Sequence, residues 1–108
     1  MAPLKRDPIE TLEREHAHLC NHELELQAEL EGARADIQQA GENQRTFLAA
    51  GEDSPDLLAT VSATLQKAER RARDAANALA ITVEQRKAVE RKLAQAKDKA
   101  SRGRSLQS

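Results

Sequence analysis

Residues 47–58, Phe-Leu-Ala-Ala-Gly-Glu-Asp-Ser-Pro-Asp-Leu-Leu, contain the signals that end one helix and begin another. Gly51 suits the left-handed conformation that often follows a helix C-terminus. Ser54 or Asp53 can cap a new helix, and Pro55 suits its first position. A connection this short makes the flanking helices antiparallel neighbours. The stretch therefore predicts a helical hairpin.

Apolar residues recur every seven positions on both sides of this turn. The two series of the first half are Leu12, Leu19, Leu26, Ala33, Ala40, Phe47 and Ile9, His16, Glu23, Leu30, Ile37, Gln44. Those of the second half are Leu58, Leu65, Ala72, Leu79, Arg86, Leu93 and Val61, Ala68, Ala75, Thr82, Val89, Ala96. Paired residue numbers sum to 105, as an antiparallel coiled coil requires when heptad position a faces d. The sequence predicts an all-α fold, an antiparallel two-helix coiled-coil hairpin that dimerises into a four-helix bundle.

The expected organisation follows from local start and stop signals. Asp7 can cap the first helix, Pro8 suits its first position, and no breaker interrupts the second helix before Ser101. The expected segments are an N-terminal extension at 1–6, the hairpin at 7–101 (helix 1 at about 8–50, turn at 51–54, helix 2 at about 55–101) and a basic flexible tail at 102–108.

The composition favours a coiled coil over a globular core. Charged residues make up 32% of the chain, and it has a single Phe and no Trp or Tyr. The sustained heptad register argues against disorder. One cysteine fits a reducing compartment, the N-terminus lacks the apolar region of a signal peptide, and no stretch approaches a membrane span. We expect a soluble cytoplasmic protein with no membrane association.

Two polar residues occupy adjacent layers of the predicted seam. Glu23 lies opposite Thr82, and Arg86 lies opposite Leu19. We expect Glu23 and Arg86 to pair across the seam, because polar residues at core positions fix register at some expense of stability.

Chemistry at single sites receives little support. His18 and His22 share one helical face at a spacing that can chelate zinc, whereas His16 and Cys20 lie about 160–200° away around the helix. One ion cannot collect all four, so we expect no metal site and leave His18 and His22 as an incomplete pair. Phosphate loops and the HExxH pattern are absent, and a two-helix coiled coil has no catalytic cleft. We expect no enzyme activity and no cofactor.

Basic residues gather where the two chain ends meet in the hairpin. Residues 1–50 carry a net charge of −5 and residues 51–108 carry +4, so one reading is an acidic helix neutralised by a basic one. The other is phosphate contact without base readout, because no aromatic residue is interleaved for stacking. The candidate contacts are Lys5, Arg6, Arg86, Lys87, Arg91, Lys92, Lys97, Lys99, Arg102 and Arg104.

Apolar residues outside the seam suggest self-association. They fall on heptad positions e and b, which share one flank of an antiparallel hairpin: Cys20, Leu24, Ala76, Ala80 and Val83. A second seam on that flank would let two hairpins form a dimer. We therefore expect a non-enzymatic coiled-coil adaptor or accessory protein that self-associates and presents a helical rod to an unidentified protein partner. The alternative is a nucleic-acid-associated accessory factor that uses the basic open end.

Overall fold

The structure, a computed structural model, describes the backbone of residues 7–51 and 54–107 and the side chains of residues 7–51 and 54–103. It contains two long helices, α1 at Pro8–Ala49 and α2 at Pro55–Gln107, and no strand within those ranges. The predicted all-helical fold with two long helices is confirmed. Residues 52 and 53 of the predicted turn and the 1–6 extension lie outside the described part of the chain.

The helix ends carry the predicted capping contacts. At the start of α1, the Ile9 amide donates to Asp7 Oδ1 at 3.0 Å. At the start of α2, the Leu57 amide donates to Ser54 Oγ at 3.4 Å, so Ser54 supplies the cap. Gly51 follows α1 with φ of 70°, the left-handed conformation that glycine adopts without steric strain. Side chains thus define where both helices begin, and one glycine defines where α1 ends.

The chain divides into two compact units. Unit 1 combines Met1–Leu24 with Ala80–Ser108, and unit 2 consists of Glu25–Leu79. In unit 1 an early residue of α1, Glu13, pairs with a late residue of α2, Lys97, and Glu23 pairs with Arg86. The two helices therefore run antiparallel in this unit.

In unit 2 one arginine joins the two helices. Arg71 of α2 donates to Glu29 at 3.1 Å and to Asp36 at 2.8 Å, both on α1. These hydrogen bonds raise the pKa of Arg71 above its ordinary value, and the bond to Asp36 has the larger effect. Because all three side chains are well exposed, this bridge contributes mainly to register and little to stability.

The core follows the predicted seam. Every predicted seam position is buried or half-buried. The buried residues of the described chain all belong to it: Leu30, Ala33, Ala40, Val61, Ala68, Ala75, Thr82 and Val89. Half of them are alanines, which let helices approach closely but remove little apolar surface from water. The seam is therefore narrow, and its stabilisation per residue is small.

The C-terminal end of α2 corrects one prediction. The helix continues to Gln107, past the expected end near residue 101, so residues 102–107 are helical instead of a loose tail. No proline stops the helix, and the single glycine, Gly103, costs only about 1 kcal/mol. Arg102 also contacts Asp98 at 3.2 Å, one turn back, which supports the last turns. Neither helix, over the residues described, has an apolar stretch that could cross a membrane.

Candidate functional site

Unit 1 brings together four of the five residues predicted for self-association. Leu24 is 63% exposed, and Ala80 is also exposed, whereas Cys20 and Val83 are half-buried. These four residues, Cys20, Leu24, Ala80 and Val83, are called the self-association patch below. The fifth residue, Ala76, is exposed and belongs to unit 2. A leucine this exposed on a folded helix is the clearest apolar feature of the patch.

A polar cluster lies in the seam beside this patch. Arg86 Nε donates to Glu23 Oε2 at 2.6 Å, and Arg86 Nη1 donates to Glu90 Oε1 at 2.7 Å. The predicted pairing of Glu23 with Arg86 is confirmed. The hydrogen bond to Glu23 raises the pKa of Arg86 above its ordinary value, although partial desolvation acts in the opposite direction. Both partners are half-buried, so removing one would leave the other poorly solvated.

The cluster extends to a histidine and the cysteine. His16 Nε2 lies 3.4 Å from Glu90 Oε2, and Cys20 Sγ lies 3.8 Å from His16 Nε2. The thiol therefore contacts the imidazole of the preceding turn, and the imidazole contacts a carboxylate of α2. The contacts link the self-association patch to the seam through side chains that bond across both helices.

The histidines proposed as an incomplete metal pair lie on the surface. His18 and His22 are both exposed. In the part of the chain that the structure describes, no group of three or more His, Cys, Asp or Glu side chains is arranged to hold a metal ion. His18 instead lines a shallow groove of unit 1 with Glu15 of α1 and with Gln85, Ala88 and Lys92 of α2.

Many of the predicted basic contacts are occupied by carboxylates. Arg86 is held in the seam, Lys97 lies 3.6 Å from Glu13, and Lys87 lies 3.8 Å from Glu84. Arg102 contacts Asp98. Among the predicted basic contacts whose side chains are described, Arg91, Lys92 and Lys99 are exposed and form no ion pair. Lys5, Arg6 and the Arg104 side chain lie outside the described residues. Within the described part of the chain, three of the predicted cations, all on α2, are thus free to contact a phosphate.

Sequence reasoning missed an exposed isoleucine. Ile81 is 60% exposed and lies at heptad position c, on the flank of unit 1 opposite to that of Leu24. It lines a shallow surface depression with Ala80, Glu84, Gln85 and Ala88. The register itself was the available signal, because an isoleucine at position c cannot reach the seam.

No known family matches the chain, and comparisons with characterised proteins and with solved structures find no relative.

Proposed function

We propose that the protein is a non-enzymatic coiled-coil adaptor or accessory protein of the cytoplasm. Two copies associate through the self-association patch into a four-helix bundle and present their remaining helical surface to a protein partner. The observation that carries this proposal is the 63% exposure of Leu24, in the same unit as Ala80 and Val83. Small neighbours allow a second helix to approach closely and cover the leucine.

The narrow seam buries little apolar surface, so burial of more apolar surface in a dimer interface would stabilise the protein. The buried residues of the described chain all belong to the seam, and half of them are alanines, which remove little apolar surface from water. A stable protein interface removes about 1,600 Å² from water in total. Burial of Leu24, which is 63% exposed, at such an interface would add about 1.5–3 kcal/mol for each copy.

Sedimentation equilibrium tests this proposal. We expect the native protein to dimerise at tens of micromolar, and we expect the double variant Leu24→Glu/Val83→Glu to be monomeric, because two carboxylates would be desolvated at the interface. Ile81→Glu is the matched control, since Ile81 has almost the same exposed fraction as Leu24 but lies on the opposite flank. A native monomer, or a double variant that still dimerises, would contradict the proposal. Far-UV circular dichroism verifies that each variant is helical.

A second candidate function is favoured by Arg91, Lys92 and Lys99, the exposed cations described above. In this alternative the protein is an accessory factor that contacts nucleic-acid phosphates. Three phosphate contacts would make the logarithm of duplex DNA affinity fall with log salt at a slope of about −2.7. A fluorescence titration with generic duplex DNA at several salt concentrations measures that slope. Undetectable binding at 50 mM salt would exclude this function.

A further inference from the structure

One face of α2 within unit 1 changes from apolar to basic along its length. Heptad positions c and g recur alternately four and three residues apart on this helix. The residues there, called the c/g stripe, are Ile81, Gln85, Ala88, Lys92, Gln95, Lys99 and Arg102. At 1.5 Å per residue the stripe is roughly 32 Å long, the length of a helix of about six turns.

The apolar end of the stripe is open to solvent. Ile81 is 60% exposed, and Ala88, two turns further along the same face, is half-buried. The surface depression around Ile81 is also lined by Ala80, Gln85 and Glu84, and the Glu84 carboxylate lies 3.8 Å from the Lys87 ammonium. An incoming apolar side chain could contact Ile81 and Ala88 on this side of the helix.

The basic end of the stripe carries lysines that form no ion pair. Lys92 and Lys99 are exposed, and no carboxylate among the described residues forms an ion pair with either. Glu15 of α1 lines the groove beside Lys92 and partly offsets its charge, and Arg102 contacts Asp98. The charge of Lys99 and most of the charge of Lys92 therefore remain available to a negatively charged partner.

We infer that the c/g stripe is the docking surface for an acidic amphipathic helix of a protein partner. This inference rests on the proposed adaptor function and names the chemistry of its partner. The partner helix places an apolar side chain on Ile81 and Ala88 and carboxylates over Lys92 and Lys99. Helix-in-groove recognition uses this spacing of three and four residues. Lys92 and Lys99 would repel a basic helix and would form no ion pair with a neutral one.

The mixed character of the stripe favours a protein helix over nucleic acid. A duplex offers phosphates to Lys92 and Lys99 but nothing that would cover Ile81. A second copy of this chain is accommodated by the self-association patch, whose exposed Leu24 lies on the opposite flank of unit 1, while Ala80 borders both surfaces. An acidic amphipathic helix satisfies both ends of the stripe at once.

A synthetic peptide provides the test. The probe is a stapled 21-residue helix with leucines on one half of its contact face and glutamates on the other half. The control peptide has the same composition, with leucines and glutamates on opposite faces. Fluorescence anisotropy with the full chain should show that the probe binds at least tenfold more tightly than the control peptide. We expect Ile81→Glu and Lys92→Glu/Lys99→Glu each to weaken probe binding at least tenfold, and Leu24→Glu to leave it unchanged.

Each contrary result is distinct. Equal binding of both peptides, or probe binding that survives Ile81→Glu, overturns the inference. Tight duplex DNA binding that depends on Lys92 and Lys99 but not on Ile81, with no preference for the probe, assigns the stripe to nucleic acid. If Ile81→Glu abolishes the dimer, the stripe is an interface between two copies of this chain and the inference is overturned. A dimer that does not prefer the probe overturns the inference alone, whereas a monomer that binds the probe overturns only self-association.

Discussion

Leu30→Ala should destabilise the protein more than any exposed leucine substitution. Leu30 is 9% exposed and lies opposite Ala75, which is also buried. The change removes three carbons from a nearly dry site, worth about 2.4 kcal/mol at about 0.8 kcal/mol per carbon. A cavity term is added, but a two-helix seam is open at its flanks and can close around the gap. We therefore expect a loss of about 2–3 kcal/mol in the free energy of unfolding.

Leu24→Ala is the matched control for this prediction. It removes the same atoms from a side chain that is 63% exposed, so the loss should stay below about 1 kcal/mol in the monomer. Urea unfolding followed by far-UV circular dichroism measures both changes, and dilution below the dimer range isolates the monomer. The Leu30→Ala loss corresponds to a drop of roughly 10–20 °C in Tm.

The comparison can refute the register directly. If Leu24→Ala costs as much as Leu30→Ala in the dilute monomer, heptad position b faces the core and the seam has been assigned wrongly. If the cost of Leu24→Ala instead grows with protein concentration, the leucine is buried by association.

Two further pairs of variants test the seam and the turn. Replacing both Glu23 and Arg86 with leucine should raise Tm. Either single replacement should lower Tm, because the remaining charge would be left half-buried without its partner. Thermal melts that do not differ from that of the native protein would show that these side chains are not in the seam. Gly51→Ala should cost about 1 kcal/mol because alanine is strained at a φ of 70°, whereas Gly32→Ala, at an open helical position, should stabilise by about 1 kcal/mol. Urea midpoints of the two glycine variants that shift in the same direction would contradict the left-handed assignment at Gly51.

The seam could be predicted because its signal is redundant. Each layer is specified twice, once by the seven-residue period and once by the mirror relation about the turn, so single polar residues such as Glu23 do not obscure it. The cap of α1 could be predicted at Asp7, whereas for α2 the sequence left Ser54 and Asp53 as alternatives.

The ion-pair partners of Arg71 and the end of α2 could not be predicted from residue type alone. Arg71 could meet several acidic residues of α1, and its bonds to Glu29 and Asp36 depend on rotamers and on the separation of the helices. The end of α2 depends on the absence of a strong stop, and Gly103 alone is a weak one. Ile81 was not predicted because it lies at heptad position c, outside the e and b positions that define the self-association prediction.

The division into two units has a consequence for the order in which the chain closes. Unit 2 is a continuous segment, Glu25–Leu79, whereas unit 1 joins two segments from the chain ends. If unit 1 formed alone, the whole of Glu25–Leu79 would be a free loop, and its closure would cost roughly 3–4 kcal/mol of entropy. Once unit 2 has formed, that loop is already ordered and most of this cost disappears. A change at Leu30 in unit 2 therefore reaches the self-association patch and the c/g stripe through chain entropy, without touching either surface.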